Sequence, residues 1–447
     1  MSHTHATVVR TREQRIQERR ALRWLIMVLV PLGVWTLAAL VVMWPGDISS
    51  HIRADSASYT VAGVTRPLGT ITNVQEQSCD GTTGSVAGDT SRCAKITVTL
   101  EEGPEVGSDV GVDLTAAVFA SGVEAGQQVR LYRIPIQDAD PSYQFADFER
   151  RAPMLFFAGL FFVLVVGVAR WRGFASVVGL LFAGFILLEF MFPALIQGQN
   201  PVWVGLVGSS AIMFVVLFLA HGFTARTTTA LVGTLFGLGL SAALGLIATQ
   251  WAHLTGVASE DDFLLAASAP DLRLTSVVIC GIIVAGLGVL NDVTITQASS
   301  VWELAQTNSS RRDLFTSAMR IGRDHIASTV YTTAFASAGA ILPVLLLLTI
   351  MQRPLLEVLP TEQFAGEVIR TLVGAIGLVA AVPLTTAIAV AAVSTGRGQV
   401  EPDSIDDPVS GGVAGDLLVD AGLHADTGEE APTVEGPDAY RRPRRGA

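Results

Sequence analysis

Residues 274–304 read LTSVVICGIIVAGLGVLNDVTITQASSVWEL, and the fold turns on whether this is one membrane-crossing helix. Residues 274–290 are apolar and rich in Gly. At about 1.5 Å per residue they span roughly 26 Å, slightly short of a hydrocarbon core about 30 Å thick. If the helix continues, Asp292, Thr296, Ser299 and Glu303 recur at steps of four, three and four and share one face. Such a stripe faces protein or water rather than lipid. Asn291 and Asp292 then lie either in the inner third of the bilayer or at its cytoplasmic edge. Near the centre an ionised Asp costs roughly 2.5–3.5 kcal/mol, so it needs a partner or has a function. At the edge it costs little and simply begins a juxtamembrane helix.

The rest of the chain has the same character. Half of its 447 residues are apolar and 15% are charged, with 43 Gly, which is the composition of a polytopic membrane protein. Apolar runs at 24–44, 153–169, 174–196, 202–220, 229–249, 274–290, 326–350 and 367–393 make about eight transmembrane helices. The even count places both termini on one side. Residues 1–23 form a basic cytoplasmic tail, and the 24–44 run is too long for a signal-peptide core and reads as a retained anchor. Arg170, Arg172, Arg226, Arg311, Arg312, Arg320, Arg323 and Arg397 then fall in cytoplasmic segments, against Arg273, Arg353 and Arg370 outside. The expected location is a bacterial cell membrane, crossed several times. Much of the acid behind the net charge of −11 sits in 396–447, an acidic cytoplasmic tail expected to be disordered.

Between the first span and the rest, 45–150 contains no spanning run. It alternates as YTVAGVTRPLGTITNV, CAKITVTLEEG, VGVDLTAAVFA and QQVRLYRI, separated by Gly, Asp and Pro turns. Short strands at this spacing predict a small extracytoplasmic β-domain, a barrel or sandwich with an OB-like barrel preferred. It lacks the basic stripe and interleaved aromatics of a nucleic-acid binder, so nucleic acid is not an expected partner. Cys79 and Cys93 lie in this segment. In an oxidising compartment they are a candidate disulfide, and otherwise two unpaired thiols.

Downstream of Glu303, residues 301–325 are amphipathic and basic, suited to lying along the inner membrane face. They lead into a span carrying Thr329, Thr333 and Ser337 at steps of four. Asn291, Asp292, Thr296, Glu303, Thr329 and Thr333 are thus candidates for a proton or ion relay. The competing reading is that the hydroxyls bond to their own helices and hold neighbours together. Arg320, Arg323 and Asp324 are candidate anchors for the amphipathic helix, on lipid phosphate or on Glu303. Glu189, in LLEFMF, is placed to snorkel to the outer interface. No phosphate-binding Gly-rich loop ending in Lys-Ser/Thr, no His-Glu-x-x-His helix and no Gly-x-Ser-x-Gly elbow occurs. No catalytic residue, metal site or cofactor is therefore expected, and the chain is not expected to be an enzyme.

The run Gly286-Leu-Gly-Val-Leu-Asn291-Asp292-Val-Thr-Ile-Thr-Gln-Ala-Ser299-Ser300-Val-Trp-Glu303-Leu, followed by Ser317-Ala-Met-Arg-Ile-Gly322-Arg323-Asp324, resembles the signature of the YibE/F-like membrane proteins. Pro193 to Pro201 and Gly222-Phe-Thr-Ala-Arg-Thr227 fit it as well. The resemblance covers roughly 150–395 and implies a seven-helix transmembrane domain over 151–395. It implies little about mechanism. Where such proteins read Met-Asp this chain has Asn291-Asp292, which keeps the acid. A weaker resemblance, of the acid motif and the Thr-rich span ending in Ile-Leu-Pro343, is to the RND permeases and the SecD and SecF translocase subunits. It implies an anchor, an extracytoplasmic domain and five helices with the acid in the third.

The expected function is a secondary transporter or permease coupled to a proton or cation gradient, acting on an unidentified small-molecule or lipid substrate. The alternative is a non-transporting assembly or scaffold protein acting through the β-domain and the acidic tail. The lipid bilayer is the expected partner, with a protein partner or a second copy of the chain as candidates.

Overall fold

The computed structural model describes residues 12–53, 63–79, 92–136, 139–306 and 310–393, with side chains from 23 onward. The acidic tail 396–447 and Arg397 lie outside the described residues. Helix α1 covers Arg12–Val42, so from Arg12 onward the basic segment continues helically into the apolar run, whose membrane-length stretch is Arg23–Val42. Its Arg, Glu, Gln, Ala and Leu residues are good helix formers, and nothing between them breaks the helix before the apolar run begins.

Five antiparallel strands follow: β1 Leu68–Ser78, β2 Arg92–Leu100, β3 Asp109–Leu114, then the short helix α2 Ala116–Ala120, β4 Gln128–Ile136 and β5 Ala139–Phe148. Their order in the sheet is β3-β2-β1-β4-β5. Ile71, Ile96, Val98, Leu100, Val112, Leu114, Val129 and Leu131 are buried together, the inward half of the alternation. Arg133 on β4 grips Glu105, in the β2–β3 turn, with two donors: Nε to Oε2 at 2.9 Å and Nη2 to Oε1 at 2.6 Å. The Tyr143 hydroxyl on β5 donates to the same carboxylate at 3.0 Å. This ties the turn to the far side of the sheet. The Arg133 guanidinium holds the Glu105 carboxyl below the usual carboxylate range. Cys79 and Cys93 are joined by a disulfide at the end of the β1–β2 pair.

The helical part consists of α3 Arg151–Ile186, a π-helical turn at Leu187–Met191, α4 Phe192–Ile196, α5 Pro201–His221, α6 Ala225–Trp251, α7 Glu260–Ser268, α8 Leu274–Leu304, α9 Arg311–Ala340, α10 Leu342–Ile350, α11 Leu355–Val358 and α12 Glu362–Ala392. Six stretches are long and apolar enough to cross a membrane, and a seventh is added if α9 and α10, bent by 64°, count as one span. The stretch Arg151–Ile196 is counted once among the six, yet its helix is broken at Arg170 (φ 54°, ψ −130°). A side-chain carbon on Gly173 would lie 2.2 Å from the Val165 carbonyl oxygen. In a straight helix residues eight apart are separated by about 12 Å, so α3 folds back on itself at Arg170. Its second arm packs on α5, with Gly179 against Val216. Its first arm, from Arg151 to Ala169, is mostly exposed.

Two expectations about α8 and α9 change. Residues 301–325 are not a separate surface helix. Residues up to Leu304 belong to α8, and those from Arg311 begin a helix that runs without interruption to Ala340. Leu314, Ala318 and Gly322, at steps of four, are buried, and Leu314 and Ala318 join Ala389 and Val390 of α12 in one apolar cluster. The apolar side of this segment therefore forms a packing seam against protein. The Thr-rich span 326–350 is itself broken at Ile341, where Pro343 in the first turn of α10 lacks the N–H needed to continue the helix.

The disulfide can be counted directly. Denatured protein kept from reduction should take one polyethylene-glycol maleimide, on Cys280, and three after reduction. Three adducts without reduction would contradict the pairing. Closing this fourteen-residue separation is worth about 3 kcal/mol by chain entropy, so Cys93→Ala should measurably destabilise the β-domain.

Candidate functional site

Helices α6, α8 and α12 meet along a seam of small and hydroxylated residues, which fixes the direction of every polar group on α8. α6 runs antiparallel to the other two, so contacts pair Gly245 with Ile282, Gly237 with Leu290 and Ala381, and Gly233 with Thr385. A side-chain carbon on Gly233 would fall 2.0 Å from Thr385 Oγ1, and one on Gly377 would fall 2.3 Å from Ser241 Oγ. Only Gly permits these approaches, and the hydroxyls rest against backbone. Thr234 and Thr294, both fully buried, share a hydrogen bond of 2.6 Å between α6 and α8. One turn further, Gln297 is fully buried and donates to the Ala318 carbonyl at 3.0 Å and to Thr386 Oγ1 at 2.8 Å, joining α8 to α9 and α12. Gly322 lets α9 come this close, since a side-chain carbon there would sit 2.8 Å from Val382 Cγ1 and 3.1 Å from Gln297 Oε1.

Asp292 is on the other side of α8. It is exposed, as are Ala285 and Gly288 above it, while Thr296 and Ser299 below are half-buried. It is the single charged residue of α8 between its N-cap Arg273 and Glu303, and α12 has none from Thr371 to Ala392. Glu303 lies eleven residues, or about 16 Å, further along the helix, where it meets Arg226 of α6 at 3.7 Å. Arg226, not Arg320 or Arg323, is therefore the partner of Glu303. Arg320, Arg323 and Asp324 are exposed on α9 and form no ion pair among the described residues.

The other sequence candidates bond locally. Thr296 donates to the Asp292 carbonyl at 2.7 Å, Thr329 to the His325 carbonyl at 2.8 Å and Thr333 to the Thr329 carbonyl at 2.9 Å. Thus the hydroxyls face their own helices, and none of them reaches the Asp292 carboxylate. Asn291 is half-buried, and its Oδ1 has no hydrogen-bond partner among the described residues. Glu189 is exposed within the π-helical turn. Among the described residues no group of three or more His, Cys, Asp and Glu is placed to hold a metal ion.

Two cavities flank the Arg273 end of α8. An apolar pocket of about 480 Å³ lies between Leu187, Met191 and Leu195 on one side and Val277, Cys280 and Val284 of α8 on the other. A larger, mixed cleft of about 1360 Å³ opens where the start of α5, the end of α6 and the start of α8 converge. His51 Nδ1 and Asp271 Oδ2 lie 2.8 Å apart at its rim. Sequence reasoning missed Gln297, Thr294 and this cleft. The spacing Leu290, Thr294, Gln297, Val301 marks the buried face of α8, opposite the stripe read first, and could have identified the first two. The cleft depends on three loops that meet only in the fold.

A family model described as YibE/F-like protein matches residues 157–395. No curated protein and no solved structure matches the chain.

Gly233 and Gly239 give a matched pair on one helix, since a side chain at Gly239 would meet nothing within 4 Å. Gly233→Leu should lower the stability of the detergent-solubilised protein by about 1–3 kcal/mol or more, while Gly239→Leu stays near wild type in thermal unfolding. Equal effects at the two positions would mean that the seam is not closely packed.

Proposed function

The chain belongs to the YibE/F-like family, and from that premise we propose that it is a secondary transporter or permease driven by a proton or cation gradient, with Asp292 as the ion-carrying carboxylate. One observation carries the proposal. Asp292 stands about 16 Å along α8 from the Arg226–Glu303 pair, exposed and without a charged or hydrogen-bonding partner among the described residues. If that ion pair lies in the headgroup region, which adds only about 5–8 Å to each side of the hydrocarbon, Asp292 is well inside the core. An acid at that depth is costly unless it binds a proton or cation, or water reaches it. The opposite face of α8 is closed by the Gly seam, which leaves the exposed face as the path to Asp292.

In this reading the two arms of α3 are separate spans, the bent α9–α10 pair is another, and the total is eight. Both termini are then cytoplasmic, and the β-domain is extracytoplasmic. The sheet order, with a helix between β3 and β4, supports reading the β-domain as a small OB-like barrel. The chemistry is carriage rather than catalysis, so no enzymatic role is proposed.

A second reading has its own observation in favour. The exposed first arm of α3, directly after β5, leaves an apolar helix free for a partner, as an assembly or scaffold protein would need.

Vesicles containing the protein and a pH-sensitive dye, challenged with a panel of solutes, separate the two readings. Transport predicts solute-dependent proton movement that falls to the empty-vesicle background in Asp292→Asn and persists in part in Asp292→Glu. Wild-type movement in Asp292→Asn contradicts it. The scaffold reading predicts instead that Asp292→Asn is silent while deletion of the β-domain abolishes the cellular phenotype.

A further inference from the structure

We infer that the apolar pocket beside the first half of α8 is a binding site for one acyl chain of a membrane lipid. What the pocket holds does not depend on proton carriage at Asp292, which lies eight residues beyond Val284, the last pocket residue on α8.

Two helical walls and a missing side chain make the pocket. On one wall the π-helical turn and α4 present Leu187, Met191 and Leu195 at steps of four. Such turns, set inside α-helices, occur frequently at functional sites. On the other wall α8 presents Val277, Cys280, Gly281 and Val284. Gly281 leaves the space between the walls open, since a side-chain carbon there would meet nothing within 4 Å. Leu265 of α7 and Leu272, just before α8, complete the lining at the Arg273 end. The cavity holds about 480 Å³, within the range of small-molecule pockets, and Met191, Leu195, Leu272 and Cys280 form its buried floor.

The lining selects the occupant. None of the eleven lining side chains carries a charge, a hydroxyl or an amide, so water or a polar solute would leave its hydrogen bonds unmade there. The rim is apolar and open: Phe192, Val277 and Leu265 are exposed, as are Leu188 and Ala285 beside them. The stretch 151–196 and α8, which supply most of this rim, are both of membrane length and apolar, so bilayer hydrocarbon is what lies outside the opening. Helix α7 fixes the level of the pocket's end. Its first turn is Glu260, Asp261 and Asp262, while Phe263, Leu264 and Leu265 stand exposed, as in a helix lying between headgroups and hydrocarbon. From there the pocket runs about 10 Å along α8, from Val277 to Val284, roughly a third of a hydrocarbon core about 30 Å thick. A lipid seated here keeps its headgroup among headgroups and exchanges fluid neighbours of one chain for fixed van der Waals contacts.

The test is photolabelling of the full-length protein, reconstituted in vesicles of phosphatidylcholine and phosphatidylglycerol that contain a phosphatidylcholine with a diazirine on one acyl chain. The protein is extracted into mild detergent, which strips loosely held lipid, then illuminated and mapped by peptide mass. Adducts should concentrate at 187–196 and 277–284, above the background on the exposed arm 151–169. Gly281→Phe, which fills the pocket, should remove the excess, and Gly239→Phe, a side chain placed in open space elsewhere, should leave it unchanged. Thermal unfolding checks that each variant is folded. Should Gly281→Phe fail to fold, Gly281→Leu and the thiol of Cys280 carry the test. A long-chain N-alkyl maleimide should then modify Cys280 faster than a charged maleimide does, and Gly281→Leu should slow it. Even labelling of the three segments overturns the inference, as does an excess that survives filling of the pocket. Cross-links from pocket residues to a second copy of the chain, in place of lipid, overturn it too. Labelling of the pocket without any proton movement in vesicles would sink the transport reading and leave this one standing.

Discussion

Close packing of side chains onto glycine backbone among α6, α8 and α12 is the constraint on which the rest depends. Lipid is as apolar as Leu, so hydrophobic burial does not hold these helices together, and close approach must do so. Gly233 against Thr385 and Gly377 against Ser241 allow that approach, and the Thr234–Thr294 and Gln297–Thr386 bonds add direction to it. Once this face of α8 is committed, the helix has no rotational freedom left. Asp292, on the far side, must point away from the seam. The same packing thus explains a closed interior and an open acid.

The two ends of α8 then take different roles. At one end the exposed Arg226–Glu303 pair, 3.7 Å apart, bridges α6 and α8 close to where the chain turns into α9. At the other, α8 begins beside three loops that leave a cleft instead of closing over it. The Gln197–Asn200 turn approaches closely enough that Gly198, at φ +74°, would place a side-chain carbon 3.0 Å from the Asp271 carbonyl.

Much of this was legible in the residues, and the reasons differ from part to part. Spans such as 202–220 and 229–249 follow from length and apolarity, because a bilayer leaves the backbone no alternative to a helix. Strands followed from alternation around Ile96, Val98 and Leu100, where burial on one face imposes a period of two. Asp292 stood out because a charge in an apolar run is costly. What could not be read was partnership. Glu303 lay within sequence reach of Arg320 and Arg323, but helix packing gave it to Arg226, 77 positions earlier in the chain. Thr329 and Thr333 have the right spacing for a relay, yet their hydroxyls found nearer acceptors one turn back. The segment 301–325 carries the same period whether its apolar side meets lipid or Val390, and only the fold decides between them.

The central claim is that Asp292 occupies hydrocarbon depth on an open face. A nitroxide attached at Asp292→Cys, in a Cys280→Ala background with the Cys79–Cys93 disulfide intact, reports depth through its relative accessibility to oxygen and to a water-soluble relaxation agent in a bilayer. The same label at Glu303→Cys supplies the interfacial reference. The account predicts that oxygen dominates at position 292 and the aqueous agent at 303. Equal aqueous accessibility at the two positions would place Asp292 beside bulk water and remove the physical basis for a membrane-embedded carrier.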